Sequence, residues 1–392
     1  MMRNEPSTLR VAIACGGTGG HLFPGLAVAE QLKQRGCDIT LLVSPKEVDQ
    51  QAVKAARDMR VETLPAVGLA RGSRLAFARG FVQSYRAARK FFKKETPEAV
   101  LAMGGFTSAP PVLAARRFGA RTFLHESNTI PGRANRWLSR VVQQAFVGFP
   151  EAGKRLHTRN VTVTGTPVRP EFQPGNAAAC RTALGLDPNR PMLLVTGGSQ
   201  GASGVNDLVI SALPLLAKRA PELQLFHLTG PTDEQRVKKA CAKHNLKAVV
   251  YPFFAEMHLA LGAASMAISR AGASSLAELA AMEVPAVLVP FPAATDNHQY
   301  YNALALERTG AACLMEQKRA TSESLAVKIV EILRSEDLRG KMRVALQGWQ
   351  APRAAEQIAD SILRAIAAHR DAAGRPALPA PPNSQHHQSI IA

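Results

Sequence analysis

At 392 residues the chain is long for a single core, so two domains are expected, each large enough to bury its own. Its 48 Lys and Arg against 30 Asp and Glu give a net charge of +18, which favours a polyanion or an anionic membrane surface as partner. Aromatics are 5%, and no zinc, RNP or basic-zipper pattern occurs, which speaks against nucleic acid; the five cysteines stand apart without Cys-x-x-Cys or metal-like spacing, as in a reducing compartment.

Met1 to Thr8 is polar and leads straight into a strand, so no signal peptide is expected. Leu9 to Ala14 reads as a buried strand, and Leu22, Leu26, Ala29 and Leu32 recur at helical spacing. Between them Cys15-Gly16-Gly17-Thr18-Gly19-Gly20-His21 forms a strand-to-helix turn. Its glycines let a ligand approach the main chain, and the N–H groups opening the following helix can bind an anion. Many open α/β folds make such a turn for topology alone; a histidine closing it, followed by Phe23-Pro24-Gly25, is less ordinary.

Further strands are expected at Ile39 to Val43, Val61 to Leu64, Ala99 to Met103, Thr122 to His125, Ala145 to Val147 and Val161 to Thr164. Helices are expected at Pro110 to Arg117 and Pro131 to Ser139, and a basic amphipathic segment runs from about Arg79 to Lys94. Strands alternating with helices argue for a parallel, doubly wound sheet. Gly165 to Gly175, rich in Pro and Gly, reads as an interdomain linker.

The pattern then restarts with a strand at Met192 to Thr196, a glycine turn at Gly197 to Gly204 and a helix at Val205 to Ala217. Strands follow at Leu223 to Leu228, Ala248 to Tyr251, Met266 to Ser269 and Ala286 to Val289, then helices from about Ser322 and Asp337. The longest apolar stretch, Val284 to Ala294, is about half a membrane span and holds three prolines. Pro352 to His369 reads as a last amphipathic helix, and from Asp371 the chain lacks periodicity and is read as disordered. The expected domains are 1–168 and 169–348, then a helix over 349–370 crossing back to the first domain, and the tail 371–392.

In open α/β sheets ligands bind beyond the carboxyl ends of strands. The unusual residues fall there: Gly16 to His21, Gly104 to Ser108, His125 to Asn128, Arg169, Gly197 to Gly204, Phe253 to Met257, Arg270 to Glu278 and Thr295 to Tyr300. A cleft between two facing domains would be lined by both sets.

Six stretches then occur together and in order. They are Gly-Gly-Thr-Gly-Gly-His-x-Phe-Pro-Gly-Leu-Ala from Gly16, His-Glu-x-Asn-x-x-x-Gly at 125–132, Gly-x-Pro-Val-Arg at 165–169, Gly-Gly-Ser-Gln-Gly-Ala at 197–202, Ser-Arg-Ala-Gly-Ala-x-x-x-x-Glu at 269–278 and Asp-x-His-Gln-x-x-Asn-Ala at 296–303. With them the chain, over roughly residues 8 to 365, closely resembles the MurG family of glycosyltransferase family 28. The resemblance implies the GT-B fold and inverting transfer of GlcNAc from UDP-GlcNAc to the C4 hydroxyl of MurNAc in undecaprenyl-pyrophosphoryl-MurNAc-pentapeptide (lipid I), giving lipid II. It also implies no cofactor or metal, a peripheral place on the cytoplasmic face of the inner membrane, and association with other cell-wall synthesis and division proteins. No Asp-x-Asp pair occurs, in agreement with metal-independent transfer.

Inverting transfer needs a base on the acceptor hydroxyl and help for the departing diphosphate. By resemblance His21 is the base, against helix capping or binding of the acceptor pyrophosphate. Thr18, Gly19 and Gly20 would hold phosphate or sugar oxygens, and Ser199, Gln200 and Arg169 the donor diphosphate. Glu278 would accept both ribose hydroxyls, Phe254 would meet uracil, and Gln299 with His298 would read the GlcNAc hydroxyls. Ala273, Ser274 and Ser275 belong to the same donor motif, while Glu126 and Asn128 would touch donor sugar or acceptor, one of them bracing the loop. Ser127 and Phe106 stand where the family usually has Gln and often Tyr, both on the acceptor side. Leu75, Phe77, Phe81 and Tyr85 among Arg79 and Arg86 would dock on anionic lipid, against a plain helix with its apolar face in the core.

Two alternatives are a UDP-GlcNAc 2-epimerase and a non-catalytic UDP-sugar-binding subunit of the same fold. A dinucleotide dehydrogenase is disfavoured, since the first turn lacks the usual third-glycine spacing and Leu41 to Ser44 ends the second strand without a ribose-binding acid.

Overall fold

The computed structural model describes residues 8–17, 19–45, 59–65, 74–198 and 200–374; Thr18, Ser199, Arg71 and the tail from residue 375 lie outside them. Among the described residues the strands form two parallel sheets. The first holds seven in the order β3-β2-β1-β4-β5-β6-β7 and the second six in the order β10-β9-β8-β11-β12-β13. In the first, β1 (Arg10–Ala14) is flanked by β2 (Asp38–Val43) and β4 (Ala99–Ala102), with β3 (Arg60–Thr63) outside β2. β5 (Arg121–Glu126), β6 (Gln144–Val147) and β7 (Val161–Val163) continue beyond β4. The second repeats this plan around β8 (Met192–Thr196), β9 (Gln224–Leu228), β10 (Ala248–Tyr251), β11 (Met266–Ser269), β12 (Ala286–Leu288) and β13 (Ala312–Leu314).

Both sheets are covered by helices on both faces, which is why their central strands are continuous apolar runs. Val11 and Ile13 point into one layer with Leu22, Leu26 and Leu32, while Ala12 and Ala14 point into another with Phe92, Val112 and Leu138. β13 and the helix Ala177–Ala183 escape the sequence reading; three strand residues at a sheet edge and seven helical residues with none buried carry no periodicity to detect.

The chain passes between the lobes twice. Gly165 and Ala351 are pressed together there: a Cβ on Gly165, whose φ is +79°, would lie 2.2 Å from that of Ala351. Phe149 and Phe172 lock the junction into the second lobe's core, and Phe149 packs on Trp349 at 5.5 Å. The last helix, Ala354–Ala372, returns to the first lobe, where Ile358, Ile362 and Ile366 join the layer of Leu22 and Leu26. Arg35 pairs with Asp360 at 3.1 Å and Arg370 with Glu98 at 2.5 Å to hold it there. This helix runs through Asp371 and Ala372, so the tail does not begin at 371 as the sequence suggests: the amphipathic pattern has lapsed there, but the helical hydrogen bonds have not.

Candidate active site

In each sheet the strand order reverses beside one central strand, between β1 and β4 and between β8 and β11, and such points leave a crevice beyond the strand ends. The four turns leaving those strands begin at Cys15, Met103, Gly197 and Arg270, and the two crevices face each other across one cleft of about 590 Å3. Among the helices that open on it are Gly19–Gln34 and Ala273–Ala281, and the glycine turn leading into Ser203–Arg219 reaches it through Gly198 and Gln200. Their amino ends give the cleft a positive edge suited to an anion. The lobes touch at this edge, where the Ser274 hydroxyl donates to the Gly20 carbonyl at 2.9 Å.

His21 lines the first-lobe wall. Its ring lies flush on the Gly104-Gly105 backbone, where a Cβ on Gly104 would sit 2.8 Å from its Nε2. Both glycines have positive φ, +123° and +76°, so the turn needs them twice over, for conformation and for room. Glu126 is buried at the end of β5 and accepts four hydrogen bonds from its own loop: the backbone N–H groups of Asn128 and Gly132, Asn128 Nδ2 and Asn135 Nδ2, at 2.9–3.0 Å. Burial raises its pKa while these donors pull it back. Glu126 is therefore committed to shaping the loop, and Asn128, which it anchors, lines the cleft. Behind them buried His125 is held near pKa 4 by desolvation, with Nε2–H donating to the Gly165 carbonyl at 3.1 Å and Nδ1 accepting from Ser127 Oγ at 3.2 Å. Ser127 thus braces His125.

The second lobe supplies a different chemistry. Arg270 is 7% exposed, donates to the carbonyls of Val289 and Pro290 at 3.0 Å, and is pushed down to about 10 by burial. Arg169, from the interlobe segment, lies against the rings of Phe23 and Phe172 at 4.9 and 5.2 Å and pairs with Glu171 at 2.9 Å; its buried Nε has no partner. Glu278, one helical turn into Ala273–Ala281, keeps only part of its surface open to the cleft, and desolvation lifts its carboxyl to about 7, opposed by the charge of Arg169. Phe254 stacks on Tyr251 and meets Phe226 edge-on at 5.1 Å, presenting an apolar wall. Gln299 Oε1 accepts from the Phe291 N–H at 2.9 Å, which turns its amide nitrogen away from that loop, and His298 Nδ1–H donates to the Thr295 carbonyl.

The glycine turn after β8 is braced from behind. Asn206 Nδ2 donates to Thr229 O and Asp233, so its Oδ1 accepts from His227 Nε2, and burial holds His227 near pKa 3.

Of the residues singled out in the sequence, Gly19, Gly20, His21, Glu126, Asn128, Arg169, Gln200, Phe254, Ala273, Ser274, Ser275, Glu278, His298 and Gln299 all meet in this one cleft. Arg270 joins them as a buried cation that the sequence reading left without a role. The surface helix Arg74–Lys94 stands beside the cleft rather than in it. Leu75 is 84% exposed, Phe77 packs edge-on against Phe106 at 5.3 Å, and Phe106 lines the cleft, so an apolar strip runs from surface to site. Arg79 and Arg86 are exposed, whereas Phe81 and Tyr85 are half-buried against the first lobe's core, as the plain-helix alternative expects for them, and line a shallow groove with Arg116 and Arg117. Among the described residues no helix is long and apolar enough to cross a membrane, and no group of three or more His, Cys, Asp or Glu side chains could hold a metal ion.

Comparison with known proteins agrees with this geometry. The glycosyltransferase family 28 N-terminal domain matches residues 11–147 and its C-terminal domain residues 192–358. The chain is 38% identical over 368 residues to the UDP-N-acetylglucosamine–N-acetylmuramyl-(pentapeptide) pyrophosphoryl-undecaprenol N-acetylglucosamine transferase of Anaeromyxobacter dehalogenans, covering 91% of this chain and 93% of that one. It superposes on the crystal structure of Acinetobacter baumannii MurG with a TM-score of 0.70 at 29% identity, covering 91% and 99% of the two chains. A UDP-N-acetylglucosamine 2-epimerase structure from Listeria monocytogenes, named as putative, superposes with a TM-score of 0.67 at 16% identity over 94% and 98%, a likeness of fold alone.

Proposed function

This chain belongs to glycosyltransferase family 28, and from that premise we propose how its cleft carries out the family's transfer. The protein is an N-acetylglucosaminyltransferase that moves GlcNAc from UDP-GlcNAc to undecaprenyl-pyrophosphoryl-MurNAc-pentapeptide, yielding UDP and lipid II in peptidoglycan synthesis. His21 takes the proton from the MurNAc C4 hydroxyl as that oxygen attacks the GlcNAc anomeric carbon on the face opposite UDP. The C1–O bond to the diphosphate breaks, and the anomeric centre inverts. A positioned base contributes on the order of 10² to 10⁴ in rate.

The charge gathering on the departing diphosphate is met by Arg169, Arg270, the turn bearing Ser199 and Gln200, and the helix amino ends around Gly19, Gly20 and Ala273 to Ser275; fixed dipoles and cations there need no reorganisation as the charge develops. Glu278, as a carboxylate, accepts the two ribose hydroxyls, Phe254 bounds uracil, and Gln299 with His298 reads the sugar. Asn128, held by Glu126, faces the reacting sugars. The observation that carries this reading is the Ser274–Gly20 contact, because it sets the donor-side helix against the turn that carries His21. The epimerase reading is not favoured, since its support is fold without sequence likeness.

The helix Arg74–Lys94 brings the enzyme to its lipid acceptor. Leu75 and Phe77 enter the interface, backed by half-buried Phe81 and Tyr85, while Arg79 and Arg86 contact anionic headgroups on the cytoplasmic face of the inner membrane, each basic residue adding about 1 kcal/mol. Incubating the purified enzyme with labelled UDP-GlcNAc and a lipid I analogue, with and without chelator, tests the activity: label should pass to the lipid in both arms. Retention of all label in UDP-GlcNAc or free sugar would contradict it.

A further inference from the structure

The helix His298–Arg308 carries a fully buried asparagine that none of the roles above uses. The Asn302 amide fills every hydrogen-bonding position it has. Its Oδ1 accepts from the Thr129 backbone N–H and the Thr129 hydroxyl, both at 2.9 Å. Its Nδ2 donates to Asn128 Oδ1 at 3.0 Å and to the Ala271 carbonyl at 3.1 Å. The orientation is unambiguous, because the Thr129 N–H can only donate and the Ala271 carbonyl can only accept.

Three segments therefore meet on one side chain: the first-lobe loop after β5, the second-lobe loop after β11, and the helix that opens with His298 and Gln299. The first-lobe end is rigid in its own right, since Asn128 is anchored by Glu126. A second link joins the same regions, where Asp296 pairs with Arg136 at 2.8 Å and Arg133 at 3.7 Å. That link is partly exposed, and pairs of this kind contribute little and fade with salt. The buried neutral amide has neither weakness.

We propose that Asn302 is a positioning residue for the transfer: its amide couples the donor-side segment bearing Gln299 to the acceptor-side loop bearing Asn128, and so assembles the two halves of the site. The proposal rests on the transferase reading.

Asn302→Asp tests it in the full-length enzyme. The aspartate keeps the acceptor facing Thr129 but sets an oxygen against Asn128 Oδ1 and the Ala271 carbonyl. With UDP-GlcNAc and a lipid I analogue, kcat should fall by about tenfold or more, the loss expected from two buried hydrogen bonds turned unfavourable. A buried carboxyl facing two acceptors titrates high, and its protonated form regains one donor. The ratio of variant to wild-type kcat should therefore rise as pH falls from about 8 to 6, a response that simple loss of packing would not give. Small-angle scattering of the unliganded variant should show a larger maximum dimension than wild type.

A kcat loss below about tenfold, or a ratio flat with pH, overturns the proposal. Should Asn302→Asp fail to fold, Thr129→Val, which removes only the hydroxyl donor, decides it: a kcat loss of about threefold or more supports the coupling and a smaller one overturns it. Absence of turnover in wild type would count against the transferase reading, whereas unchanged scattering in the variant would count against the coupling.

Discussion

Replacing Gly104 with Ala disturbs the proposed base without touching its chemistry. The added Cβ would lie 2.8 Å from His21 Nε2 and 3.0 Å from its Cδ2, whereas ordinary contact begins at 3.4 Å. The imidazole must therefore retreat by about 0.6 Å, and a misplacement approaching 1 Å in a reacting group costs on the order of 10²-fold. The backbone adds its own penalty, since a φ of +123° costs a side-chain-bearing residue about 1–3 kcal/mol. We expect kcat to fall by about ten- to a hundredfold while UDP-GlcNAc affinity, set by the second lobe, stays within about twofold. Steady-state kinetics with calorimetric donor binding measures both. A double-mutant cycle separates base displacement from general damage: Gly104→Ala should cost little in a His21→Ala background, because the displaced ring is already gone. A folded Gly104→Ala enzyme with kcat within about threefold of wild type, or full additivity with His21→Ala, would refute the reasoning.

Donor affinity should follow the ionisation of Glu278. Burial holds its carboxyl near 7, so it is mostly protonated at pH 6 and ionised at pH 8; since the ribose hydroxyls need an acceptor, binding should strengthen by about tenfold over that rise and become flat in Glu278→Gln. Calorimetry at both pH values decides it, and a pH-independent wild-type affinity would count against the ribose role. Glu126→Gln should lower the urea unfolding free energy by about 1–3 kcal/mol, because an amide nitrogen would confront N–H donors in a buried loop; unchanged stability would mean the loop finds other acceptors. Sedimentation with anionic vesicles should weaken from about 0.05 to 0.5 M salt and again in Leu75→Ser; binding indifferent to both would remove the helix Arg74–Lys94 as the docking element.

The two-sheet architecture was legible because parallel strands buried on both faces write themselves as short apolar runs such as Val11 to Ala14 and Met192 to Val195. Edge elements wrote no such signature: β13 spans three residues, and the amphipathic helix starts at Arg74, ahead of the first arginine expected in it. The cleft was legible for a topological reason, since glycine turns and polar clusters collect where strands end. Residues whose work is to join parts distant in sequence were not. Asn302 and Thr129 stand 173 positions apart, and nothing local to either announces the pair. Glu126 was legible as a polar residue at a strand end, but its inward direction follows only from four donors converging on it. The packing of Gly104 and Gly105 beneath His21 likewise depends on two turns from adjacent strands meeting in space.

In the proposed transfer one imidazole, facing a donor held by the opposite lobe, activates the acceptor alcohol. Purified His21→Ala enzyme, assayed in parallel for UDP-GlcNAc affinity by calorimetry and for lipid I glycosylation, tests it most directly. Donor affinity should match wild type within about twofold while kcat falls by on the order of 10² to 10⁴. Turnover at the wild-type rate, or donor binding lost together with turnover, would contradict it.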